Sequence, residues 1–201
     1  MKLSGEKIIM STSIRSFIAF DINNDSLLKK ISDAQNLLIE TGADLKLVEP
    51  RNIHVTIRFL GNITLSMADK IHEKMKKIIF SPFTINIHGV GAFPTLKYPR
   101  VIWAGIKQGN NELRNIFDQL EPELQNLGFP PDPKGFNPHI TIARVKTGRN
   151  KAELIKKIQL LTDYNFGVIK AECLRLKKSV LTPQGPIYST LREICASRSF
   201  P

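Results

Sequence analysis

The chain has 201 residues, 42% of them hydrophobic, enough for a real core in one domain or two small lobes. Its 29 Lys and Arg against 18 Asp and Glu leave a formal charge of +11, which points to a polyanionic partner such as nucleic acid or a nucleotide. The two cysteines, Cys173 and Cys195, form no Cys-x-x-Cys and indicate neither a disulfide scaffold nor a cysteine zinc site, so a reduced cytoplasmic setting is expected.

Met1 to Ser13 is polar apart from Ile8-Ile9-Met10, too short an apolar run for a signal peptide or a membrane anchor. It reads as a flexible extension over residues 1–13, and Met10 is an alternative start. Phe17–Ile22 is strand-like, Asn24 and Asp25 supply helix-start chemistry, and Leu27, Ile31, Ala34 and Leu38 recur at helical spacing until Gly42. Glu49-Pro50 introduces a strand over Asn52–Phe59, closed at Gly61. Ser66 can cap the next helix, with Met67, Ile71, Met75 and Ile78 inward and His72 on its solvated face. Phe83–His88 alternates as a strand with His88, Thr84 and Asn86 on the polar side, and Gly89 to Arg100 reads as a loop. Val101–Ile106 is the next strand. Leu113, Phe117, Leu120, Leu124 and Leu127 then form a core-facing helical stripe stopped by Gly128. A proline-rich loop leads to a strand over Asn137–Arg144, followed by a helix near Lys151–Leu161 and strands over Val168–Lys178 and Tyr188–Ile194.

Two of these strands say nearly the same thing. Asn52-Ile53-His54-Val55-Thr56-Ile57 and Asn137-Pro138-His139-Ile140-Thr141-Ile142 both read His-x-Thr-x among β-branched residues, and together they use half of the four histidines. Alternation places His54 with Thr56, and His139 with Thr141, on one face, roughly 7 Å apart. The histidines are 85 positions apart, Phe17 and Val101 are 84 apart, and Phe83 and Val168 are again 85 apart. The chain therefore reads as a duplicated strand–helix–strand–helix–strand unit. A pseudo-twofold packing of the copies would bring the His strands face to face.

Paired imidazoles suit acid–base work near neutral pH, one deprotonating a water and the other protonating a leaving oxygen. Hydroxyls of Thr56 and Thr141 can donate to the non-bridging oxygens of a phosphate. Phosphodiester hydrolysis fits this layout, and the basic charge fits an RNA-like substrate. Metal ligation is the competing reading, but no third ligand has metal spacing around either histidine, so no metal is expected. A buried, hydrogen-bonded His explains one copy better than two matched copies.

These residues resemble the two motifs of the 2H phosphoesterase superfamily, and within it the RNA 2′,3′-cyclic phosphodiesterases, also called 2′-5′ RNA ligases. The resemblance runs from about Ile14 through Arg15–Asp21, Arg58-Phe59-Leu60-Gly61, Val101–Gly105 and Leu181–Tyr188, the last two being similar to archaeal members. It implies an α+β, bilobal fold: two pseudo-twofold-related repeats of antiparallel-rich sheet with outer helices around a central cleft. The domain would span 14–201, with repeat units of about 14–100 and 101–201. It implies opening of an RNA 2′,3′-cyclic phosphate to a 2′-phosphate with no cofactor, with His54 as proton donor and His139 as acceptor. The partner would be an RNA with such an end, for example a tRNA fragment, bound by a monomer away from membranes. Phe59 and Arg144 each lie five residues past their histidine, where the family resemblance implies a nucleobase clamp. Strict alternation argues the opposite, turning Phe59 to the side of Val55 and Ile57 and Arg144 away from His139. A non-catalytic RNA-end binder, or 2′–5′ ligation as the reverse reaction, remains the alternative function.

Overall fold

The computed structural model describes residues 13–133 and 135–196. The expected N-terminal extension therefore lies, Ser13 excepted, outside the described residues. In chain order the elements are β1 (Ile14–Asp21), α1 (Asp25–Ile39), β2 (Leu45–Leu47), a 3₁₀ turn (Pro50–Asn52), β3 (His54–Ile63), α2 (Leu65–Met75) and β4 (Phe83–Thr95). Then follow β5 (Tyr98–Gln108), α3 (Asn110–Gln125), β6 (Ile140–Val145), α4 (Lys151–Leu160), β7 (Asn165–Ala171), β8 (Cys173–Leu181) and β9 (Pro186–Cys195). The short β2 and the turn after it have no counterpart in the sequence reading.

The strands form two antiparallel sheets, one ordered β3-β1-β8-β9 and the other β2-β6-β5-β4-β7. This is the α+β, two-lobed architecture that the family resemblance implied, and each sheet draws on both halves of the chain. β4 leaves the first half to pair with β5, while β8 returns from the second half to pair with β1 and carries β9 on its outer edge. Helices cross over too: α1 packs against β6 and β7, and α3 against β3. The interleaving buries one continuous core, in which Ile18, Val55, Ile71, Ile102, Ile140 and Leu154 are all fully enclosed.

Local chemistry accounts for the element ends. Asn24 caps α1 by accepting from the Leu27 amide at 2.9 Å. Thr64, not Ser66, caps α2, accepting from the Met67 amide at 3.1 Å. Gly89 to Arg100 is mostly strand instead of a loop, because register shifts in the β4–β5 hairpin absorb its glycines and prolines. Gly91 is needed there, since a Cβ would lie 2.2 Å from the Trp103 ring. The expected Val168–Lys178 strand is two strands, interrupted at Glu172, one for each sheet.

The cysteines correct a further expectation. Cys173 and Cys195 are bonded to each other, since they sit directly opposite at the open end of the β8–β9 hairpin. Their separation of 22 positions along the chain conceals that opposition. Among the described residues, no helix is long and apolar enough to cross a membrane.

Candidate active site

β3 and β6 lie against one another, one from each sheet, and the cleft between the sheets opens over them. His54, Thr56, Phe59, His139, Thr141 and Arg144 all line this cleft, so the structure brings the six predicted residues together. His72 and His88 do not line it. His72 instead bonds through Nε2 to the Glu193 carbonyl at 3.1 Å.

Each histidine is held in the same way. His54 Nδ1 donates to the Asn52 carbonyl at 2.7 Å, and His139 Nδ1 donates to the Asn137 carbonyl at 2.8 Å. A carbonyl only accepts, so Nδ1 carries the proton in both rings and Nε2 is left to face a ligand. Aromatic rings fix the imidazole planes: Phe17 and Tyr188 pack at 4.8 and 5.4 Å from His54, and Phe93 at 4.9 Å from His139. Among the described residues, neither Thr56 nor Thr141 has a protein partner for its hydroxyl, so both can donate to a ligand.

Burial pulls both imidazoles below the ordinary histidine value, because the charged ring loses its hydration. The carbonyl bonds oppose this in both. The charged surroundings then differ. Asp21, directly across the ladder from His54, favours its imidazolium, against smaller opposing effects of Lys177 and His139. Arg144 disfavours a charge on His139. Burial also pushes the Tyr188 hydroxyl upward, so it stays protonated and able to donate.

Phe59 and Arg144 reach the cleft because neither strand alternates strictly. In the β1–β3 ladder Ala19 pairs with Thr56 and Ile18 with Arg58, leaving Ile57 as an extra, bulged residue. In the β5–β6 ladder Trp103 pairs with Thr141 and Ile102 with Ala143, so Ile142 is the bulge. Each bulge makes two consecutive residues face the core and returns the next to the cleft. Arg58 and Ala143 are accordingly buried, while Phe59 is 56% exposed and Arg144 is exposed. The conflict between alternation and clamp is thereby resolved in favour of cleft-facing side chains.

Buried polar groups fasten both bulges. Arg58 Nε donates to Glu121 Oε2 at 2.9 Å, and its other nitrogens reach the Phe59 and Pro130 carbonyls and Asp132. Gln35 on α1 donates to the carbonyls of Val48 and of the bulged Ile142, both at 2.8 Å.

The sequence reading missed several cleft residues: Arg15, Lys46, Asn52, Gln184 and Tyr188. Asn52 is nearly buried and donates from Nδ2 to the Pro186 carbonyl at 2.9 Å, holding the β8–β9 turn against the cleft wall. Its signal was present, since Asn stands two residues before the histidine in both copies. Among the described residues, the only grouping of three metal-ligating residue types is Cys173, Glu193 and Cys195; it includes neither cleft histidine, and its two sulfurs are tied up in the disulfide and offer no thiolate.

A family model described as the AKAP7 2′5′ RNA ligase-like domain matches residues 16–195. A protein named RNA 2′,3′-cyclic phosphodiesterase from Aeropyrum pernix is 39% identical over 173 residues, covering 86% of this chain and 98% of that protein. The chain belongs to the RNA 2′,3′-cyclic phosphodiesterase family of 2H phosphoesterases. A member of the same name from Aquifex aeolicus is 34% identical and covers 90% of this chain and 96% of that protein. The family thus spans archaea and bacteria, and the archaeal likeness expected from sequence is not singled out. The fold is that of E. coli LigT complexed with 3′-AMP, with a TM-score of 0.72 at 18% identity over 93% of this chain and 100% of that one.

Proposed function

We propose that this protein hydrolyses RNA 2′,3′-cyclic phosphate ends to 2′-phosphates, with His139 as base and His54 as acid. The observation that carries this reading is the matched pair of imidazoles in one cleft, each anchored through Nδ1 and free at Nε2. Neutral His139 Nε2 takes a proton from water as the oxygen attacks phosphorus. The bond from phosphorus to the ribose 3′-oxygen breaks, and the His54 imidazolium supplies the proton that this oxygen needs. The products are a 2′-phosphate and a 3′-hydroxyl. Proton exchange with solvent then restores both rings.

Thr56 and Thr141 donate to the non-bridging oxygens, where charge accumulates in the transition state. Phe59 and Arg144 hold the terminal base by stacking, which any base allows. The assignment of acid and base is supported by Asp21 beside His54 and by Arg144 beside His139. The shared name of the relatives supports the reaction class. Incubating the purified protein with an RNA carrying a 2′,3′-cyclic end, in the presence of a chelator, tests the proposal. Quantitative conversion to a 2′-phosphate is expected; a 3′-phosphate product, or turnover restored only by a divalent ion, would overturn it.

A further inference from the structure

We infer that Tyr98, flanked by Lys97 and Lys151, is a second base-stacking subsite, which receives a nucleobase upstream of the reacting RNA end. The inference rests on the proposed function and adds where the rest of the strand lies. Tyr98 is 59% exposed at the tip of the β4–β5 hairpin, although a tyrosine at a strand end could have packed inward. Lys151 Nζ lies 4.9 Å from its ring centroid and Lys97 Nζ 5.8 Å. Exposed cation–π contacts of this kind are weak, so either ammonium can swing to a phosphate and leave a ring face to a base.

The position matches an exit from the cleft. β4 carries Phe93, whose ring packs on His139, and two residues farther along Thr95 pairs with Tyr98. On the neighbouring strand Arg144 pairs with Val101, three residues from Tyr98, or roughly 10 Å of strand. Lys46 lies opposite Arg144 on its other side and also lines the cleft. An RNA strand leaving the Phe59–Arg144 clamp over this sheet therefore meets cations first and then an exposed ring, the combination that holds single strands without sequence preference.

Cations gather at this rim without acids among them. Several lysines of the outer helices are matched by acids, as in Lys29–Asp33, Lys74–Glu123 and Lys156–Glu153, although among the described residues Lys30 and Lys70 are not. Among the described residues, Lys46, Lys97, Arg144 and Lys151 have no carboxylate partner. The hairpin on the opposite rim exposes Val180, Leu181 and Ile187, which cannot stack on a base.

The test compares kcat/KM on a 2′,3′-cyclic mononucleotide and on a cyclic-ended hexaribonucleotide for the wild type, Tyr98→Ala and Tyr98→Phe. Tyr98→Ala should lose about tenfold on the hexamer, through KM, and nothing on the mononucleotide, as expected for one stacked base. Tyr98→Phe should keep the hexamer rate. Equal losses on both substrates, no loss on the hexamer, or a Tyr98→Phe variant as impaired as Tyr98→Ala would overturn the subsite while leaving the proposed function standing. A wild type that turns over neither substrate would overturn both.

Discussion

Burial holds both cleft histidines below the usual imidazole value, and this fixes the pH behaviour of the proposed reaction. The reactive form has one neutral and one protonated ring, and it is most populated between the two apparent values of the pair. Because both are lowered, kcat/KM on a cyclic mononucleotide should peak on the acid side of about 6.5, the ordinary histidine value. Arg144 disfavours the His139 imidazolium, so Arg144→Gln should raise that value and shift the profile toward higher pH. A profile centred above pH 7 and unmoved by Arg144→Gln would contradict this account. The two roles can be separated by the leaving group. Expelling a ribose oxygen needs a proton, whereas a stable anion does not. His54→Ala should therefore recover most of its rate on an activated phosphodiester, and His139→Ala should not, since the water still needs a base. Rates of both variants on both substrates decide it, with rescue of His139→Ala alone meaning that the roles are exchanged.

The bulges at Ile57 and Ile142 bring Phe59 and Arg144 into the cleft that holds the histidines, where the proposed clamp would sit. The histidines and threonines were legible in sequence because a period of two holds as far as Thr56 and Thr141. Phe59 and Arg144 were named only through their matched offset and the family resemblance, with alternation against them, because a bulge adds a residue without leaving a compositional mark, and Ile57 and Ile142 look like any core residue. The repeat itself held the missing information, since the two bulges are 85 positions apart, like the histidines. The β4–β5 hairpin was obscured for a related reason: Gly and Pro, read as loop formers, here sit at register shifts inside strands. Arg58 is only 7% exposed and meets Glu121 and Asp132, so it fastens the first bulge to α3 and the loop after it. Arg58→Met leaves the largely buried Glu121 carboxylate without this cation, and a loss of roughly 3–5 kcal/mol in unfolding free energy is expected. Denaturant titration measures it; a loss below about 1 kcal/mol would place the Glu121 carboxylate in water instead.

At the scale of the molecule, neither half of the chain makes a sheet alone, because β2, β4 and β8 pair with strands of the other half. Sequence spacing showed the duplication but not this exchange, since pairing partners distant in the chain leave no periodic trace. The same holds for Cys173 and Cys195, whose bond depends on hairpin register. The +11 charge, with its unmatched cations at the cleft rim, should make binding of a cyclic-ended hexamer weaken steeply with salt, while binding of the mononucleotide changes little. Equal salt dependence for both ligands would assign the charge to something else. Interleaved sheets that each deliver one histidine predict that the two imidazoles work as a unit, and a double-mutant cycle on kcat for a cyclic-ended RNA tests this most directly. His54→Ala and His139→Ala should each slow turnover by roughly 10²–10⁴, and the double variant should be little slower than the worse single one. Losses that multiply, or wild-type turnover in either single variant, would contradict a shared two-histidine mechanism.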